Sequence, residues 1–210
     1  MLISTHLGAR YSDAKFPARK ILVLAANPED TSRLRLDKEV REIQQSLQLS
    51  KERDYFELVS EWAVRTEDLL QTLVTHQPHI VHFLGHGTED HGLILEDSRG
   101  RSQLVLTRAL ARLFQQMVSV ECVLLNACYS DTQAKAISQF VSCVIGMNQP
   151  IGDPAAMHFS FTYRRRVELS DESYRLNLKQ FQRITEATKT IEQSVVIGVR
   201  ILSFAFKLSI

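Results

Sequence analysis

The sequence predicts an α/β fold, a three-layer αβα sandwich with a mostly parallel sheet at its centre. The first ground is a set of short, unbroken apolar runs: Ile21 to Ala26, Ile80 to Leu84, Val120 to Ala127 and Val141 to Met147. Strands covered on two faces read this way, whereas a strand with one wet face alternates. The second ground lies between the runs, where apolar residues recur at the three- and four-residue intervals of one helix face. Strands alternating with helices make parallel neighbours joined by crossovers.

Residues 1–19 hold Gly8, Pro17 and scattered charges without a sustained period, and read as a leader or linker. Ile21 to Ala26 is the first strand; after Asn27-Pro28-Glu29-Asp30, the residues Leu36, Val40, Ile43 and Leu47 define one face of a helix. Phe56 to Ser60 alternates well enough for a second strand. Thr66 is placed to cap a helix with Leu69, Leu70 and Leu73 inward and with Glu67 and Asp68 near its positive end. Pro78 closes that helix and opens the Ile80 strand. Gly92 to Glu96, the turn Asp97-Ser-Arg-Gly100 and Gln103 to Leu106 form a β-hairpin in which Gly100 suits a positive φ. Thr107 caps a helix with Leu110, Leu113 and Phe114 inward, and a further helix runs from Asp131 through Ala136 and Ile137. Asp153-Pro154 has the form of an N-cap followed by a first-turn proline.

Composition excludes several classes of function. With 44% hydrophobic and 23% charged residues and a net charge of +1, the chain has the make-up of an ordinary globular domain, with no bulk charge to attract nucleic acid or an anionic membrane. The loop after Ala26 lacks Gly-x-Gly-x-x-Gly and Gly-Lys-Ser/Thr, so it offers no cradle for a dinucleotide or nucleoside triphosphate. The three cysteines, Cys122, Cys128 and Cys143, lie in or beside apolar runs at neither disulfide-framework nor zinc spacings, and neither a disulfide nor a metal or other cofactor is expected. The opening residues lack a signal-peptide pattern, and no run reaches the ~18 apolar residues of a membrane span, so the expectation is a cytoplasmic protein without a membrane partner.

Two strand ends carry the chemistry. Ile80-Val-His-Phe-Leu-Gly-His-Gly87 and Val123-Leu-Leu-Asn-Ala-Cys-Tyr-Ser130 each run from buried strand into a polar turn, with His86 and Cys128 at the carboxyl edge where open α/β sheets bind ligands. The residues stand 128 − 86 = 42 positions apart, room for a hairpin and a crossover helix between neighbouring strands. A thiol is mostly protonated near neutral pH, and an adjacent imidazole both takes its proton and favours the thiolate. Gly87, free of a side chain, and Cys128 itself are candidate backbone N–H donors to an oxyanion. Structural readings compete: a buried Cys packs as a small hydrophobe, and a strand-end His is often only a hydrogen-bonding group. His91 is an alternative base in a less preorganised turn, while His76 and His79, flanking Pro78, read as surface residues. Cys122 and Cys143 are expected to be inert.

The strings around these residues resemble the CHAT family of caspase-like cysteine peptidases. Further matching segments are Ile21-Leu-Val-Leu-Ala-Ala-Asn-Pro28, Leu34-Arg-Leu-Asp-Lys-Glu-Val-Arg-Glu-Ile43 and Val144-Ile-Gly-Met147, so the resemblance covers roughly Lys20 to Tyr174. It implies a caspase-like sandwich, a CHAT domain over 20–182, a Cys128 nucleophile, a His86 general base and a structural role for His82. Related peptidases that cut after basic residues often carry Asp two places before the Cys; here Asn126 stands there. An acidic residue lining the first specificity pocket would fall near Asp153, which capping alone also explains, or the pocket position would fall on Met157. An uncharged side chain at the cleaved position is therefore expected.

The end of the chain departs from the family pattern. A usual turn glycine is missing near Tyr163-Arg-Arg-Arg166, and 183–210 is an atypical tail whose apolar run Val195-Val-Ile-Gly-Val could be a terminal strand or helix, a partner-binding segment or an abnormal end. Two functions remain open. One is a cysteine endopeptidase acting on a protein or peptide, latent until activated; the other is a non-catalytic or latent signalling module that docks a sensor or adaptor protein.

Overall fold

The computed structural model describes residues 18–50, 53–88 and 92–147, together with the backbone of 195–199. Its large sheet begins with β1 (Arg19–Ala25) and β2 (Phe56–Trp62) and continues through β3 (Ile80–Leu84), β7 (Cys122–Asn126), β8 (Cys143–Met147) and β9 (Val195–Val199), in the order β2-β1-β3-β7-β8-β9. Every pairing is parallel except the last, in which β9 runs antiparallel to β8. The apolar runs in the sequence are the central strands: β3 and β7 are buried at every position. The Val195 run, inside the tail, is the strand that closes this edge of the sheet.

Helices lie on both faces. α1 (Leu36–Leu49) covers one, packing Leu36, Val40 and Ile43 on Val23, Ala25 and Leu84. The opposite face carries α2 (Leu69–His76), α3 (Thr107–Gln116) and α4 (Asp131–Ile137), whose Leu73, Phe114 and Ile137 meet Leu22, Phe83, Val123 and Val144. Apolar side chains on both sides of each central strand hold the three layers together, each buried Leu or Ile contributing roughly 1.5–3 kcal/mol. This is the predicted αβα sandwich.

A second, three-stranded antiparallel sheet, β4 (His86–Thr88), β5 (Gly92–Glu96) and β6 (Ser102–Leu106), rises from the carboxyl edge of the first. The predicted hairpin is its core, and Gly100 turns it at φ +74°. The predicted hairpin lacked β4, which starts one residue after β3.

Helix starts differ from expectation. α2 begins at Leu69 with Asp68 in the capping position, because the Thr66 N–H is bound to the Glu96 carbonyl and Arg65 pairs with Asp68 across the turn before the helix. Leu70, expected inward, is 54% exposed; one residue beyond Leu69 it points away from the buried stripe. Thr107 is the first helical residue of α3 rather than its cap, since Leu106 is still extended and paired with Gly92. Gln77 ends α2 in a left-handed conformation, its N–H returning to the Leu73 carbonyl immediately before Pro78. His79 is no loose surface group: its Nδ1 accepts from the Lys20 N–H, and its carbonyl accepts from the Glu121 and Cys122 N–H groups, joining the starts of β1, β3 and β7.

Candidate active site

β3 and β7 are parallel neighbours with Leu84 opposite Asn126. Two residues further on, past the carboxyl edge, stand His86 and Cys128, both half-buried. The two segments stay together after the strands end. The Gly85 N–H donates to the Asn126 carbonyl at 3.3 Å, and a β-carbon built on Gly87 would lie 2.0 Å from the Cys128 carbonyl oxygen. Only glycine allows this approach, because the colliding atom belongs to backbone.

His86 is oriented by the main chain. Its Nε2 lies 2.7 Å from the Ser32 carbonyl oxygen, and since a carbonyl can only accept, Nε2 carries the hydrogen. In the neutral ring Nδ1 is then the proton acceptor, so the tautomer is that of a base whose reactive nitrogen is Nδ1.

The loop bearing Ser32 is itself tied down. The Asn27 side chain donates to the Leu34 carbonyl and accepts from the Leu34 N–H, each at 3.2 Å. Asp30 accepts from the Ser102 N–H at 2.7 Å and the Ser102 hydroxyl at 3.0 Å, and the Glu29 N–H donates to the Gly100 carbonyl. The Ser102 N–H, helped by its hydroxyl and by Arg101 and opposed by desolvation, holds the Asp30 carboxyl below its ordinary value of 3.8. Asp97 at the hairpin turn is likewise lowered, by the N–H groups of Arg101 and Arg99. Hairpin and loop thus form one clamped unit beside His86.

A sharp turn follows Cys128. Tyr129 is left-handed at φ +56°, a conformation that costs a non-glycine residue of order 1 kcal/mol and persists where the surroundings impose it. Ser130, fully buried, supplies part of that constraint: its hydroxyl donates to the Leu125 carbonyl and accepts from the Met147 N–H, each at 3.0 Å. The chain therefore leaves β7, reverses and enters α4 with Cys128 at the top of the turn.

Asn126, two residues before Cys128, is 6% exposed, and its Nδ2 donates to Glu39 Oε2 at 2.7 Å. Glu39, on α1, is 5% exposed. The position that is neutral in the sequence therefore sits beside a carboxylate brought from another element. His82 is buried on β3, away from the edge. Asp153, Met157 and His91 lie outside the described residues. The sequence assigns Ser32, Asp30, Glu39 and Ser130 no role of their own: Asp30, Glu39 and Ser130 stand inside the strings around the first turn, α1 and Cys128, and nothing local marks Ser32. Among the described residues no group of three or more His, Cys, Asp or Glu is arranged to hold a metal ion, and no helix is long and apolar enough to cross a membrane.

The sheet order, the two helical layers and the Cys- and His-bearing strand ends at one edge define a caspase-like α/β domain. Its fold is similar to that of a secreted C11 cysteine protease from Bacteroides thetaiotaomicron, solved with an irreversible peptide inhibitor, with a TM-score of 0.51, 14% sequence identity, and coverage of 69% of this chain and 56% of that one. The CHAT domain model matches residues 2–160, and the chain belongs to that family. Among curated relatives, a probable protease of Gillisia limnaea is 27% identical over 149 residues, and a Roc-COR-CHAT protease from an unknown prokaryotic organism is 25% identical over 157. The matches cover 68% and 71% of this chain but only 26% and 15% of those proteins, so it spans a small part of each relative's length.

Proposed function

We propose that this domain is a cysteine endopeptidase working through a Cys128–His86 dyad. Nδ1 of His86 takes the Cys128 proton, and the sulfur attacks the carbonyl carbon of the scissile peptide bond. The N–H groups of Gly87 and Cys128 donate hydrogen bonds to the oxygen on which charge develops. Collapse of the tetrahedral adduct expels the amine, which leaves with the proton from His86; water, activated by the same nitrogen, then hydrolyses the thioester. These steps call on no metal and no cofactor.

The observation that carries this reading is the β3–β7 register, which brings the two strand ends to one level of the sheet edge, with Gly87 seated on the Cys128 carbonyl. The His86–Ser32 hydrogen bond supports it, because a base held by a third group is the general form of an activated-nucleophile site. Membership of the CHAT family supports the peptidase class.

The substrate in this proposal is a protein or peptide segment, with Asn126, Asp153 and Met157 on the substrate side. A role for Asn126 there operates together with Glu39, whose carboxylate already holds its amide. We also propose latency: turnover awaits a sensor or adaptor partner, oligomerisation or cleavage. The much greater length of the curated relatives supports a regulated module within a larger assembly.

Incubation with a peptide bearing a thiol-reactive electrophile tests the assignment. Wild type is expected to be labelled on Cys128, with labelling abolished in Cys128→Ala and reduced in His86→Ala. Equal labelling of Cys128→Ala would overturn the proposal, and a folded wild type that stays unlabelled at saturating probe would favour the non-catalytic docking module.

A further inference from the structure

The other two cysteines meet at the opposite edge of the same sheet. Cys122 opens β7, Cys143 opens β8, and the two are direct register partners in a parallel pair. Residues opposite one another in such a pair point to the same face. Cys143 packs against the cluster formed by Ile21, Ile80, Cys122 and Leu124. The strand starts are joined there, the Cys143 N–H donating to the Glu121 carbonyl at 3.1 Å. No disulfide joins the two thiols.

We propose that Cys122 and Cys143 form a reversible dithiol, closed to a disulfide by hydrogen peroxide and reopened by small thiols. Neighbouring strands lie about 4.8 Å apart, and disulfides span Cα separations of about 4.4–6.8 Å. The backbone spacing therefore already falls in the bonding range.

Exposure sets the order of events, because Cys143 is half-buried while Cys122 is buried at 6% exposure. A molecule as small as peroxide meets Cys143 first. The Cys143 sulfur takes one oxygen as the O–O bond breaks, leaving a sulfenic acid and one water. The Cys122 sulfur then attacks the Cys143 sulfur, the S–O bond breaks, and its oxygen leaves as a second water with the Cys122 proton. In sum, two thiols and one peroxide give one disulfide and two waters.

Parallel strands hold β-carbons near the strand spacing, wider than the ~3.8 Å that a relaxed disulfide prefers, so the bond is strained and readily reduced. Cys128 lies six residues further along β7 and its turn, on the order of 20 Å away, so the pair reacts without direct exchange with it. The closed bond would staple 122–143, the segment that carries Cys128 and α4, into a covalent loop. This inference does not depend on the proposed peptidase activity.

Cys128→Ala leaves only these two cysteines, and because peroxide also adds oxygen to methionine the change is read on the peptides that carry Cys122 and Cys143. Treatment of the folded variant with peroxide is expected to remove about 2 Da, restored by dithiothreitol, with one peptide pair linked through Cys122 and Cys143. Cys143→Ser in that background should abolish the loss. Linkage should be at least about tenfold faster in the native protein than in concentrated urea, since the fold supplies the proximity. Oxygen added to Cys143 without linkage, linkage only between two chains, or equal rates in urea would each overturn the proposal.

Discussion

Nε2 of His86 and the carbonyl oxygen of Ser32 lie 2.7 Å apart, so the imidazole is held by a main-chain atom of the loop after β1. A side-chain substitution at Ser32 cannot delete that acceptor. What can move it is the loss of the contacts that fix the loop, and the most concentrated of these is Asp30 on Ser102.

Asp30→Ala should therefore lower Cys128 labelling by roughly tenfold, the scale on which small displacements of a positioned base act, whereas Ser32→Ala should stay near wild type. Acid should open the same clamp. The folded Asp30 carboxyl titrates below its ordinary value of 3.8, so the clamp's contribution is complete above that value and is lost as pH falls through the lower, folded one. An amide titration by NMR checks this: the Ser102 N–H shift should have its midpoint below 3.8 in wild type, and that step should be absent in Asp30→Asn. A midpoint at or above the ordinary value would contradict the clamp.

Gly87→Ala should disable the site. Its β-carbon would fall 2.0 Å from the Cys128 carbonyl oxygen, and backbone on both sides must shift to admit it. Overpacking of this kind costs about 1–3 kcal/mol. The denaturation midpoint should fall accordingly, and Cys128 labelling should fall further than that stability loss explains. A variant that labels like wild type would mean that the two segments do not meet as described.

Ser130→Ala should destabilise the fold by about 1–3 kcal/mol, because the Leu125 carbonyl and the Met147 N–H both lose a buried partner. Ser138→Ala is the matched control, an exposed hydroxyl on the Lys135 carbonyl, and should stay within about 0.5 kcal/mol. Urea denaturation compares them directly; equal midpoints would show that Ser130 does not hold the turn.

The central strands could be read from the sequence because burial on both faces writes itself as an unbroken apolar run, and β1, β3, β7 and β8 all follow it. Hairpin chemistry was equally legible at Gly100. Helix starts were not. Thr66 and Thr107 are good caps in isolation, but their backbones are committed to Glu96 and to the end of β6, contacts made at a distance or by the preceding strand. His86 and Cys128 stood out as side chains at strand ends, whereas their supports did not. Ser32 acts through a carbonyl that every residue possesses, and Glu39 looks like one more charge on a charged helix until α1 is laid over Asn126. Tertiary placement creates these roles, so no local pattern announces them.

Site-resolved alkylation of the folded wild-type protein tests the central claim most directly, with iodoacetamide modification of each cysteine followed over time by peptide mass spectrometry. The account predicts that Cys128 is modified at least about tenfold faster than Cys122 or Cys143, and that His86→Ala removes that lead while leaving the other two rates unchanged. Faster modification of Cys122 or Cys143 in the native protein, or a Cys128 rate indifferent to His86, would contradict it.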